Sequence, residues 1–255
     1  MNYNYDKALD DIAFYKYHPE YKPFIGDQFD KYKILQVGES HYIGQKASDA
    51  NDEFSIQYFD MWWNDPCDKL REWPDKNPKE GKWGGWYYTR GVVENFIANR
   101  STGGYNIFAN LIRSFDVVYR DGQVYMDDEA RQRYHYFAFM NFFQMPSLYN
   151  GMNFGKSLWK SAQKLGDEQL ARDTWEKAAE ISANTLHDVI DILDPKVVII
   201  TSVSAYDVYH SKYSGDPRVI KATHPCSAWW NRKHGSDHKS GRERLENKLR
   251  EFMEK

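Results

Sequence analysis

Two short stretches at opposite ends of the chain carry the side chains best suited to chemistry. Gly38-Glu39-Ser40-His41-Tyr42 places a carboxylate, a hydroxyl, an imidazole and a phenol directly after a glycine. His224-Pro225-Cys226-Ser227 adds a second imidazole, a thiol and another hydroxyl. Glycine at a strand exit lets backbone amides approach a ligand closely, and a helix start beyond it would favour an anion. Proline after His224 keeps the histidine backbone extended and fixes its direction. The bland alternative for each stretch is an ordinary loop with capping side chains; four polar groups in succession after Gly38 favour a site.

Other residues add to this set. Asn141 stands among aromatics in Phe-Met-Asn-Phe-Phe, and its amide can donate and accept at once, as reading a base edge requires. Trp229 and Trp230 follow the second stretch beside Arg232 and Lys233, where indoles could stack on bases or else plug the loop from beneath. His234 and His238 are four apart, but Gly235-Ser236-Asp237 between them argues against helical metal ligation, so neither a metal nor a cofactor is expected.

The elements that must position these groups read as strands alternating with helices. Residues 33–38 form a continuous apolar strand, as burial on both faces demands. A second strand is expected at 137–143, a third over Lys196–Thr201 and a fourth at 217–222, each running toward one of the polar stretches. Trp175, Ala178, Ser182, Leu186, Val189, Ile190 and Leu193 recur at helical spacing, predicting a helix over 167–193 that Asp194-Pro195 ends. Further helices are expected near 53–64, 88–100, 104–115, 203–212 and 238–253, with weak helix over 5–16 and a short helix from Asp127-Asp128 to Tyr136. The pattern predicts an α/β fold: three layers, α/β/α, around a mostly parallel four-stranded central sheet. In such a sheet, loops at the carboxyl ends of the strands converge on one crevice. The chain reads as one domain, 1–255, with an irregular aromatic-rich insertion around 45–136 that includes a breaker-rich stretch from Trp73 to Gly85.

Charge and composition bound the partners. The net charge of −3 gives no global field for nucleic acid, yet residues 211–250 hold ten Lys and Arg against four acids. That excess suits a phosphate-bearing partner or, equally, a solvated helix surface. Two cysteines are too few for a disulfide framework, and no stretch spans a bilayer or reads as a signal peptide. A cytoplasmic protein without membrane contact is expected.

In order and spacing these motifs resemble the uracil-DNA glycosylase superfamily. Gly38-Glu39-Ser40-His41-Tyr42 is similar to a blend of its Gly-Gln-Asp-Pro-Tyr and Gly-Glu-Ala-Pro-Gly motifs. Asn141 resembles its base-reading Asn, Leu193 to Ile200 its helix-Pro-strand passage, and His224-Pro225-Cys226-Ser227 its final His-Pro-Ser motif. The resemblance covers about a third of the chain. It implies a flipped base held in the crevice and N-glycosidic cleavage of a damaged base from single-stranded or damaged duplex DNA. It further implies that His224 is the electrostatic catalyst, with Glu39 and Ser40 beside it, and that Gly38, His41, Tyr42, Asn141, Cys226 and Ser227 bind substrate. Tyr42 would exclude a 5-methyl group, Trp229 or Ala228 would lie on the DNA-inserting loop with Trp230, Arg232 and Lys233, and Trp83, Trp86 or Tyr87 could stack on the base.

Ser40 stands where many members carry the water-activating Asp, and Cys226 replaces the motif serine. Two other readings therefore stay open. A Gly-Asp-Ser-type esterase would use Ser40 as nucleophile and His224 as base, although position 221 is Lys rather than the usual Asp. A catalytically silent module would keep the crevice for binding nucleic acid or a nucleotide.

Overall fold

The computed structural model describes residues 1–45, 55–63, 88–98, 106–119, 128–149 and 151–253. Its centre is a five-stranded sheet. The strands are β1 (Phe24–Ile25), β2 (Ile34–Gly38), β4 (Phe137–Asn141), β6 (Val197–Ile200) and β7 (Val219–Lys221), in the spatial order β1-β4-β2-β6-β7. β4, β2, β6 and β7 pair in parallel; β1 joins β4 antiparallel, with Phe24 opposite Phe139. The sheet thus has five strands where four were expected. The addition is a two-residue edge strand, too short to show any period in sequence. A separate parallel pair joins β3 (Tyr42–Gln45) to β5 (Ser147–Tyr149).

Side chains alternate across a strand, and each face of this sheet has its own apolar cluster. Leu35, Val37, Ala138, Met140, Val198 and Ile200 pack with the helices Phe154–Leu165, Glu168–Leu193 and Val203–Lys212. Ile34, Phe137, Phe139, Val197, Ile199 and Ile220 pack with the helices Thr89–Ile97, Asn106–Tyr119 and Gly241–Met253. Helices therefore cover both faces of a mixed, mostly parallel sheet. Gln36, buried within β2, accepts from the Tyr134 hydroxyl at Oε1, while its Nε2 has no hydrogen-bond partner among the described residues.

Helix boundaries follow local chemistry. Asp167 caps Glu168–Leu193 by accepting from the Leu170 amide, and the left-handed Asp194 ends it before Pro195. The helical region expected near 53–64 is a short turn at Ile56–Tyr58 leading into Phe59–Trp62. The helix expected to run to Tyr136 spans Asp128–Gln132 and tightens into Arg133–Tyr136. The stretch from Trp73 to Gly85 and residues Trp83, Trp86 and Tyr87 lie outside the described residues.

Candidate functional site

Because β4, β2, β6 and β7 are parallel, their carboxyl ends share one rim, and the sequence motifs leave from it. Gly38 is the last residue of β2 and pairs with Asn141, the last of β4. Residues 38–41 continue alongside the chain after β4: Phe142 and Phe143 donate to the carbonyls of Gly38 and Glu39 at 3.0 and 2.8 Å, and Ser147 to that of His41 at 2.7 Å. On the other side, Ala222 is tied to β6 through the Ile200 carbonyl at 2.9 Å, so His224 emerges just beyond it.

Gly38 is needed for its lack of a side chain. A Cβ there would sit 2.3 Å from Asn141 Oδ1 and 3.2 Å from the Phe139 ring. The Asn141 side chain lies across the bare glycine, and its amide makes no hydrogen bond among the described residues, although the residue is only 8% exposed.

His224 Nδ1 accepts the Cys226 backbone N–H at 3.2 Å. An amide can only donate, so Nδ1 is unprotonated and the ring's proton is on Nε2. Burial lowers the His224 pKa, and the negative charge of Glu39 pulls in the opposite direction. Both observations describe a neutral imidazole carrying an Nε2–H donor. The loop bearing it is held from outside by Asn110, whose side-chain amide donates to the Pro225 carbonyl at 2.8 Å.

Glu39 is held at both oxygens. Oε1 accepts from the Phe154 backbone amide at 2.9 Å and Oε2 from the Ser202 hydroxyl at 3.1 Å. Tyr42 is pushed above its ordinary pKa by burial and then by Glu39 and Cys226, so its hydroxyl keeps its proton at neutral pH. These mutual influences bring Glu39, Tyr42, His224 and Cys226 into one electrostatic neighbourhood. Two hydroxyls of the site, Ser40 Oγ and Ser227 Oγ, are buried without a hydrogen-bond partner among the described residues.

Other expected site residues are placed differently. His41 is 5% exposed; its Nε2 lies 3.0 Å from the Thr89 hydroxyl and its ring meets Tyr21 edge-on, which makes it a packing residue here. The tryptophan pair divides. Trp229 is 54% exposed and its ring lies 4.9 Å from that of His234, whereas Trp230 is 1% exposed inside the apolar cluster that also holds Leu245 and Leu249. Trp230 is therefore core and not an outer contact, because the turn Ala228–Trp230 rotates successive side chains to different sides. Arg232 and Lys233 are exposed, as is Cys226, a free thiol. His234 is engaged by Arg244, whose Nη1 lies 2.7 Å from Nε2. No cluster of three or more metal-ligating side chains occurs among the described residues, and no described helix is long and apolar enough to cross a membrane.

Comparison with family models, curated proteins and solved structures matched nothing to this chain. Ser202, Phe154 and Asn110 were not foreseen as site residues. Only Ser202 had a local signal: a serine two residues past the apolar run Val197–Ile200, at the start of a helix.

Proposed function

We propose that the rim crevice takes up a nucleobase or nucleotide and cleaves an N-glycosidic bond, in the manner of the uracil-DNA glycosylase superfamily and on a related three-layer fold. The observation that carries this reading is the amide of Cys226 on Nδ1 of His224. It leaves Nε2–H as a neutral donor aimed by its own loop, the group required to stabilise charge developing on a departing base. As the glycosidic bond breaks, its electron pair passes to the base, whose oxygen accepts from Nε2–H. Water then adds to the sugar carbon and releases a proton to solvent. Asn141, whose side chain lies over Gly38, would read the base edge. A neutral donor suits this task because it need not be deprotonated by the product.

The same observation disfavours the esterase reading. A Ser-His pair needs Nε2 free to accept from the serine and Nδ1–H donating to a carboxylate. Here Nδ1 accepts, and Ser40 Oγ has no hydrogen-bond partner among the described residues. A silent binding module is favoured by a different observation, the engagement of both Glu39 oxygens by Phe154 and Ser202.

Release of free uracil from single-stranded uracil-containing DNA tests the proposal. Release that His224→Ala abolishes supports it. DNA binding without release supports the silent module, and labelling of Ser40 by a fluorophosphonate would reinstate the esterase.

A further inference from the structure

We propose that Glu39 is a positioning residue, a carboxylate fixed at both oxygens whose charge faces His224, and not a base that takes a proton from water. This rests on reading residues 38–42 and 224–227 as one crevice, but on no particular reaction there.

The donors that hold Glu39 come from two helix starts. Phe154 is the first residue of Phe154–Leu165, and its amide reaches Oε1. Ser202 caps Val203–Lys212: its oxygen accepts from the Ala205 amide at 3.3 Å while its hydroxyl donates to Oε2. Amides in a helix's first turn lack intrahelical partners, and the helix dipole favours an anion there. One side chain at the end of β2 therefore ties the central strand to two helices of the same apolar cluster. Placing a proton on either engaged lone pair would set an O–H against a donor and release a helix start.

On the crevice side, the charge of Glu39 opposes the effect of burial on His224. Tyr42 is influenced by the same carboxylate and by Cys226. The fixed carboxylate thus offsets part of the desolvation of the imidazole while itself staying in place.

Two substitutions separate charge from anchorage. Glu39→Gln keeps the length: its amide oxygen can accept from Phe154 and its NH2 can donate to the second lone pair of Ser202, so both ties remain, the second with its direction reversed, while the charge is lost. Glu39→Asp keeps the charge but is one carbon too short to span both donors. The His224 ring is titrated by NMR in the full chain, and thermal unfolding is followed in parallel. Glu39→Gln is expected to move the His224 midpoint to lower pH at near wild-type Tm. Glu39→Asp is expected to leave the midpoint close to wild type and lower the Tm. An unmoved His224 midpoint in Glu39→Gln overturns the assignment, as does a wild-type Tm in Glu39→Asp. If Glu39→Gln does not fold, Ser202→Ala removes one anchor and keeps the charge; it should lower Tm with little change at His224, and an unchanged Tm overturns the assignment. Uracil release is read separately, so its absence counts against the proposed reaction while the NMR result decides the role of Glu39.

Discussion

The hydrogen bond from Cys226 to His224 Nδ1 and the burial of the ring have a consequence for stability as well as chemistry. With the folded pKa held below the ordinary 6.5, the unfolded chain takes up this proton first as the solution is acidified. The contribution of His224 to stability is complete above 6.5 and is lost as the pH falls through that value toward the lower folded one. His224→Gln should flatten the dependence of unfolding free energy on pH as the pH falls through 6.5, measured by denaturant titration. A second expectation concerns Gly38. Gly38→Ala would drive a methyl into the Asn141 amide, a movable side-chain end, so the stability loss should stay near ~1–3 kcal/mol. Ligand affinity should fall more, because the Asn141 amide is displaced; equal losses in both measurements would detach Asn141 from binding.

Elements were readable where period and punctuation agree. The apolar runs of β2 and β6 and the helix ending at Asp194-Pro195 stand out because each is continuous and bounded by a breaker. Phe154–Leu165 was missed although Phe154, Leu158, Ala162 and Leu165 are helically spaced and Gly166 closes the run in a left-handed conformation. The site was half-legible: glycine, imidazole and amide could be seen, but not the pairing of Glu39 with residues 154 and 202, which lie 115 and 163 positions away. Nor could adjacent Trp229 and Trp230 be told apart, since only the turn that carries them decides which is buried. At this scale the helix Gly241–Met253 offers a test. Ser240 and Glu243 cap it reciprocally, with the Ser240 amide donating to Glu243 at 2.7 Å and the Glu243 amide to Ser240 Oγ at 3.2 Å. The start of this helix also abuts β7's exit, since a Cβ on Gly241 would lie 2.5 Å from Thr223. Ser240→Ala should cost about 1 kcal/mol in chemical denaturation, and Asn153→Ala, which uncaps Phe154–Leu165, about the same.

Across the whole molecule, the basic excess of residues 211–250 is largely spent on internal ion pairs. Lys212, Arg218, Lys221, Lys233, Arg242, Arg244 and Lys248 each have a carboxylate within 4.0 Å. Arg232, Lys239 and Arg250 have none among the described residues, which leaves little charge for a polyanion. Binding of single-stranded DNA should therefore depend weakly on salt, with a log–log slope near about −2 for roughly three phosphate contacts. A slope steeper than about −5 would mean that the ion pairs open on binding.

The strand order has a temporal side. β2 lies between β4 and β6, yet it is translated first, and its neighbours follow roughly a hundred and roughly a hundred and sixty residues later. A nascent chain leaving the ribosome thus displays Ile34, Leu35 and Val37 long before either flanking strand exists. Chaperone occupancy during synthesis should concentrate on that early segment and end only once Val197–Ile200 has emerged.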